Sequence, residues 1–152
     1  MMRACRQPIE HLLPHRPPMI LIDELLAYDD ARARAAVIIR DTSLFLEPEG
    51  VPSHIGLEYM AQTCGAHAGA LALEHGGVVK IGLLLGSRQY RAHVPHFRRG
   101  ERLEICVSAV YRDGEVGAFD CRIEIGGAAV AEAQLTVYQP ERFAPPAAAK
   151  DG

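Results

Sequence analysis

Residues 53–77 read SHIGLEYMAQTCGAHAGALALEHGG and contain the most informative pattern in the chain. This pattern predicts one long helix from His54 to about His75, because Ala, Leu, Met and Gln dominate it and all have high helix propensity. Ser53 is a suitable N-cap, and Gly76-Gly77 would end the helix. Apolar side chains lie nearly all round this helix, so we expect it to be buried nearly all round. Its many small residues would let a β-sheet approach closely.

Apolar runs on both sides of the helix predict β-strands. Two runs precede the helix and four follow it, at residues 20–26, 32–39, 78–93, 102–111, 115–125 and 129–138. This order indicates an α+β domain rather than a series of βαβ units. A strongly curved antiparallel sheet wrapped around the helix would explain both the strands and the buried helix. We expect a single domain over residues 1–140 and a loosely ordered tail over 141–152.

The hairpin around Asp113-Gly114 permits a prediction of strand register. Apolar side chains occupy odd positions both in residues 103–109 and in residues 119–125. Residues directly opposed across a hairpin share a face of the sheet, so the numbers of paired residues must have an even sum. A three-residue loop, 112–114, with Gly114 at positive φ, meets this condition.

Composition excludes several classes of function. The chain has 152 residues, 49% of them apolar, which suits one compact domain with a substantial core. A net charge of −3 favours neither nucleic acid nor an anionic membrane as partner. The chain has no apolar run long enough to span a bilayer and no secretory signal, so we expect a cytoplasmic protein. The four scattered cysteines predict reduced thiols. The strand register puts Cys106 and Cys121 on opposite faces of the sheet, so we expect no disulfide between them.

One arc of the predicted helix is polar. His54, Glu58 and Gln62 follow one another at i, i+4 spacing, and Gly65 and Gly69 continue the arc with bare backbone. Burying such polar groups is costly unless they are paired or face a wet cavity. Proton-transfer groups beside approachable backbone are what an active-site wall requires. The alternative is that the arc is the solvent-exposed edge of the helix, with His54 and Glu58 as a weak surface pair.

Two motifs resemble the 3-hydroxyacyl-acyl carrier protein dehydratases of the FabZ/FabA type. They are LLPHRPPMILID at residues 12–23 and GLEYMAQTCG at residues 56–65. Residues 84–86 and 97–103 are similar to a later strand and turn of that family. The run VPSHIGLEYMAQ, residues 51–62, resembles most closely the ApeP-like dehydratases of aryl polyene biosynthesis.

The resemblance implies a hotdog fold and a hydro-lyase that removes water from a 3-hydroxyacyl thioester, in fatty-acid or aryl polyene type biosynthesis. It implies no cofactor. The partners it implies are an acyl carrier protein and a second hotdog subunit, in a homodimer or heterodimer with acyl tunnels at the interface. Glu58 matches the family's catalytic carboxylate, and Gly65 the glycine whose N–H polarises the thioester carbonyl. Gln62 and His15 are candidate substrate contacts.

The chain departs from the family in the loop before the helix. Residues 44–50 read LFLEPEG and lack the family's catalytic histidine. We expect His54, one turn before Glu58, to act as the general base, because the helix dipole disfavours its protonated form. His15 is the next candidate. Two other hypotheses remain. The chain could be a catalytically incomplete partner subunit of a hetero-oligomeric dehydratase, or it could be an acyl thioesterase.

Two further groups of residues, possible metal ligands and a basic stretch, give weaker indications of function. His93 with His96, and Cys64 with His67, supply only two ligands each, so no metal site is predicted. A locally basic stretch could dock an acidic carrier protein or be an ordinary solvated strand edge. It comprises Arg88, Arg91, Arg98, Arg99 and Arg102.

Overall fold

The computed structural model describes residues 1–80 and 82–139, so the tail predicted over 141–152 lies outside the described residues. Its helices are α1 (Ile9–Leu12) and α2 (Gly56–Glu74), with a 3-10 turn at Ser53–Ile55. The strands are β1 (Arg3–Ala4), β2 (Glu24–Tyr28), β3 (Arg32–Ile38), β4 (Val51–Pro52), β5 (Leu83–Ala92), β6 (His96–Phe97), β7 (Arg102–Asp113), β8 (Val116–Ile125) and β9 (Ala128–Tyr138).

One antiparallel sheet carries the fold. Within the described residues its strand order is β1-β2-β3-β7-β8-β9-β5, and β4 pairs with β6 in a separate small sheet. Helix α2 contacts strands β2, β3, β7, β8 and β9 of the large sheet. Met60, Ile105 and Ile123 are fully buried in the core between helix and sheet. The predicted α+β hotdog architecture, one long helix against a large antiparallel sheet, is confirmed.

The start of the long helix differs from the prediction, whereas its end agrees. Ser53 is not an N-cap, because residues 53–55 form a 3-10 turn after Pro52 and no side chain caps it. The α-helix therefore begins at Gly56. At the other end Gly76 has φ +76°, and the Gly77 N–H donates to the Ala72 carbonyl at 2.8 Å. This glycine pair ends the helix as predicted.

The first predicted strand is displaced. Strand β2 begins at Glu24 rather than near residue 20. The reason is that the backbone of residues 19–21 bonds to the side chain of Gln62 in the helix instead of to a neighbouring strand. The first strand after the helix is shorter than predicted and spans Leu83–Ala92, whereas the other four predicted strands agree to within two residues. The two-residue strands β1, β4 and β6 were not predicted.

The β7–β8 hairpin confirms the predicted parity but not the predicted loop. Leu103 pairs with Ile125 and Ala109 with Phe119, so the sums are even. The register then shifts between Ala109 and Tyr111, and Asp113 pairs with Val116 across a two-residue loop. The extra residue is therefore absorbed by a bulge in β7 rather than by the turn. Gly114 has the predicted positive φ, +61°. All four cysteines are free.

Candidate active site

Helix glycines allow the N-terminal segment, residues 12–21, to pack closely on α2. Leu12 and Leu13 are buried. A Cβ at Gly69 would lie 2.1 Å from the Leu12 carbonyl oxygen, and a Cβ at Gly65 would lie 3.2 Å from Leu13 Cδ2. Gly69, at the end of the polar arc, thus provides room for backbone of the same chain and not for a ligand.

Gln62 binds the other end of this segment. Its Nε2 donates to the Met19 carbonyl at 2.7 Å, and its Oε1 accepts from the Leu21 N–H at 2.8 Å. The residue is 3% exposed. Both polar atoms of the amide are therefore occupied within the protein, which sequence spacing along one helix could not show.

A cavity of about 130 Å³ lies between the N-terminal segment, the helix and the start of β5. The structure brings four of the five predicted site residues to its wall, Glu58, Gln62 and Gly65 from the helix and His15 from the segment. The rest of the wall consists of Leu13, Pro14, Ala61, Lys80, Gly82, Leu84 and Val137.

Glu58 and His15 have no committed side-chain partner. Among the described residues, neither side chain forms a hydrogen bond or ion pair. The Glu58 side chain is exposed, whereas His15 is half-buried and its Nδ1 is fully buried. A buried polar atom without a partner costs roughly 1–3 kcal/mol. Functional groups kept available are one place where such a cost is met, although the buried Nδ1 of His67 also lacks a partner.

His54 lies apart from this cavity. It is exposed, belongs to the 3-10 turn and is not among the residues of the cavity wall. The change from 3-10 to α geometry at Gly56 also interrupts the i, i+4 alignment with Glu58. Its role as general base stays a prediction.

Tyr90 holds the start of the helix and was not singled out by the sequence. Its hydroxyl donates to the Ser53 carbonyl, and a Cβ at Gly56 would lie 2.4 Å from that hydroxyl oxygen. Burial raises the pKa of Tyr90 to about 12. Tyr90 therefore stays protonated and connects strand β5 to the turn that precedes Glu58.

The cavity continues along one face of the helix. A cavity of about 100 Å³ shares Gly65 with the first one and reaches Ala68. A third, of about 400 Å³, begins at Ala68 and reaches Ala72. From Glu58 to Ala72 the helix rises about 21 Å, at roughly 1.5 Å per residue. Together these cavities form a groove, here called the helix groove, with Glu58 at one end.

A larger depression, of about 800 Å³, lies on the outer face of the sheet. Six of its fifteen lining residues are charged. Two of the arginines pair with glutamates outside the lining, Arg34 with Glu104 and Arg122 with Glu124. It contains neither Glu58 nor a histidine. The groove along the helix is therefore the better candidate for the reaction site.

The loop without the family's histidine forms a tight turn. Glu47 and Gly50 exchange backbone hydrogen bonds at 2.9 and 3.0 Å, and a Cβ at Gly50 would lie 2.2 Å from the Phe97 carbonyl oxygen. The turn brings Glu47 and Glu49 near His96, with one ligand atom of each within 4.8 Å of the others. His93 instead contacts Glu132 at 2.9 Å, so the two histidines face different carboxylates.

The basic stretch is partly neutralised. Arg99 pairs with Asp41 at 3.0 Å, and Arg102 pairs with Glu104. Arg91 and Arg98 are exposed and form no ion pair among the described residues. The side chain of Arg88 lies outside the described part of the structure.

Comparison with known proteins identifies the family. Residues 7–148 match the ApeP-like family, described as ApeP dehydratase. This chain belongs to the ApeP-like dehydratases. The 3-hydroxyacyl-[acyl-carrier-protein] dehydratase FabZ of Allorhizobium ampelinum is 33% identical over 141 residues, 88% of each chain. That of Agrobacterium fabrum is 33% identical over 132 residues, 82% of each chain.

Solved structures agree with this membership. The dehydratase heterocomplex ApeI:P from Xenorhabdus doucetiae matches with a TM-score of 0.86 and 28% identity, covering 91% of this chain and 94% of that chain. A hypothetical thioesterase from Streptococcus pneumoniae, bound to coenzyme A, matches with a TM-score of 0.62 and 16% identity, covering 80% and 88%. The second likeness concerns the fold alone. The predicted relationship to 3-hydroxyacyl-[acyl-carrier-protein] dehydratases is confirmed.

None of the helices in the described part of the chain combines the length and the apolar character that a membrane-spanning helix needs.

Proposed function

We propose that this chain is a hydro-lyase that removes water from a 3-hydroxyacyl thioester carried on an acyl carrier protein. The observation that supports this most is the uncommitted carboxylate of Glu58 at one end of a groove that follows the helix. Dehydration needs a proton-transfer group beside a slot that accepts an acyl chain, and Glu58 and the groove could supply these two features.

Small residues on the helix leave room for an acyl chain in the groove, whose far end is also lined by Asp30, Lys80 and Arg112. Ala61, Gly65, Ala68 and Ala72 face it from the helix, so a chain can lie close to the helix backbone. The thioester would lie against Gly65, where a side chain is missing. In a continuous α-helix the Gly65 N–H also bonds to the Ala61 carbonyl, so its donation to a thioester oxygen would be shared.

Glu58 would act as the general acid that protonates the leaving hydroxyl group. When the C3–O bond breaks, its electron pair leaves with the hydroxyl oxygen, and the Glu58 carboxylic acid protonates that oxygen to give water. The base that removes the C2 proton returns this proton to Glu58 before the next turnover. A positioned acid or base contributes about 10²–10⁴-fold to such a step.

A second hotdog subunit would complete the site. Strand β5 pairs with β9, and its other edge has no partner strand among the described residues. Gly82, just before β5, and Leu84, near its start, line the cavity, and Leu84 is 37% exposed. We propose that a partner covers this edge, either a second copy or a different hotdog subunit.

The exposed arginines would receive the carrier protein. Arg91 and Arg98 are free to attract an acidic surface or the phosphate of a prosthetic arm. Four free cysteines support a reducing compartment, so we propose that the reaction occurs in the cytoplasm.

A product assay tests this function. The tagged chain is purified from its own cells, so that any second subunit stays bound, and is given a 3-hydroxyacyl-carrier protein. We expect the α,β-unsaturated thioester by mass spectrometry, and a loss of about 10²-fold or more with Glu58→Gln. Glu10→Gln, an exposed carboxylate on α1, is the matched control. Release of free acid would indicate a thioesterase, and full activity of Glu58→Gln would contradict the proposal.

A further inference from the structure

His15 is held in place from both sides along the chain. Upstream, Leu12 packs so closely on Gly69 that a Cβ there would lie 2.1 Å from the Leu12 carbonyl oxygen. Downstream, the backbone of residues 19–21 is bonded to Gln62 at 2.7 and 2.8 Å. Glu58 and His15 both line one cavity, and these contacts on either side of His15 fix its position there.

Arg16 fixes the backbone of His15 without touching its ring. The guanidinium Nη1 donates to the His15 carbonyl at 2.9 Å and lies 3.5 Å from the carbonyl oxygens of Leu13 and Pro14. The imidazole forms no hydrogen bond to any described residue, and its Nδ1 is buried. A histidine that merely supports the fold would use its ring nitrogens in such a place. His67 shares the buried, unpartnered Nδ1 but still uses Nε2, which lies 2.7 Å from the Asp29 carbonyl oxygen, whereas neither ring nitrogen of His15 is used.

We propose that His15 is the general base of the dehydration, in place of the histidine absent from loop 44–50. This proposal rests on the proposed function of the Glu58 cavity. The neutral imidazole takes the C2 proton, and the electrons of that C–H bond pass to the thioester carbonyl oxygen and then form the C2–C3 double bond. The C3–O bond breaks, its electron pair leaves with oxygen, and Glu58 protonates it. The imidazolium then returns its proton to the Glu58 carboxylate through water.

The other titratable groups fit this role less well. Glu58, His15 and Lys80 are the titratable side chains of the cavity wall. Lys80 already interacts with another group of the protein. His54 lies outside the wall and in the exposed 3-10 turn. Within the described structure, His15 is therefore the one imidazole in the wall of the cavity that Glu58 lines.

Histidine variants test the proposal in the tagged complex used for Glu58→Gln. We expect His15→Ala to lower kcat by about 10²–10⁴-fold with little change in KM. Added imidazole should restore part of the activity of His15→Ala. In the wild-type chain we expect kcat to rise with pH as the base loses its proton, and this rise should be absent from His15→Ala. His11→Ala, which replaces an exposed histidine of α1, is the matched control. Thermal unfolding of each variant identifies losses that come from misfolding, and His15→Gln, which keeps the size of the side chain, provides a second variant.

Each outcome decides the assignment. Loss of kcat with imidazole rescue in a folded variant supports His15 as base. If His15→Ala or His15→Gln stays folded and keeps kcat within about threefold, or if His54→Ala carries the loss instead, the assignment is wrong while the function stands. A loss confined to KM, or one without rescue, also contradicts it. Should Glu58→Gln remain active, the proposed function itself fails.

Discussion

Gly69 and Gly65 offer a matched pair of substitutions on one helix. Replacing either glycine by alanine adds one methyl group and gains about 1 kcal/mol of helix propensity. At Gly69 that methyl would lie 2.1 Å from the Leu12 carbonyl oxygen and 2.9 Å from its carbon, both backbone atoms. Because a C···O contact is normally about 3.3 Å or more, the N-terminal segment must move by roughly 1.2 Å.

The two variants should therefore separate stability from activity. Overpacking costs about 1–3 kcal/mol, and a backbone that must move favours the upper end, so Gly69→Ala should lose about 1–2 kcal/mol net. This corresponds to a decrease in Tm of roughly 3–6 °C. At Gly65 the nearest atom is the end of the Leu13 side chain, 3.2 Å away. Gly65→Ala should keep or raise Tm and yet lose about 10²-fold in kcat/KM, because the methyl occupies the cavity.

Differential scanning calorimetry and the product assay measure both quantities on the same preparations. A Gly69→Ala variant as stable as the wild-type chain would refute the packing argument. A fully active Gly65→Ala variant would refute the location of the thioester.

Three other predictions follow from individual contacts. Gln62→Leu should lose about 2–4 kcal/mol in urea unfolding, because the Met19 carbonyl and the Leu21 N–H lose their partner, and a loss under 1 kcal/mol would contradict this. Tyr90→Phe should cost about 1 kcal/mol in the same measurement and lower kcat more than KM, since the helix start loses its bond to β5. The Arg3 guanidinium is the main reason that the pKa of Glu74 is about 2, below the 4.5 of the unfolded chain. Stability from this pair is complete above pH 4.5 and is lost as pH falls towards 2, so urea unfolding of Glu74→Gln should depend less on pH in that window than unfolding of the wild type.

The fold follows largely from local pattern, whereas the details of the site do not. The helix, its end at Gly76-Gly77 and the parity of the β7–β8 pair follow from propensity and from the period of two in a strand. The bulge near Val110 was missed because nothing in a local sequence distinguishes an extra residue in the strand from one in the loop. The missing cap at Ser53 reflects a 3-10 turn held by Tyr90, which lies 37 residues away in the sequence.

The polar arc of the helix also shows what local sequence pattern cannot predict about the site. Spacing placed Glu58, Gln62, Gly65 and Gly69 on one face, and the structure agrees that three of them line one cavity. However, only the position of the N-terminal segment shows that Gln62 and Gly69 hold backbone while Glu58 stays uncommitted. Periodicity along one helix carries no information on which distant segment packs against it.

We propose that the reaction takes place between Glu58 and His15, with the acyl chain in the helix groove. A crystal structure of the tagged complex with a 3-hydroxyacyl pantetheine amide, an unreactive analogue of the thioester, would reveal this placement. We expect the chain along the helix face from Glu58 to Ala72, with the C3 hydroxyl at hydrogen-bond distance from the Glu58 carboxylate and C2 facing the His15 ring. An analogue bound on the outer face of the sheet, or with its C3 hydroxyl away from Glu58, would contradict it.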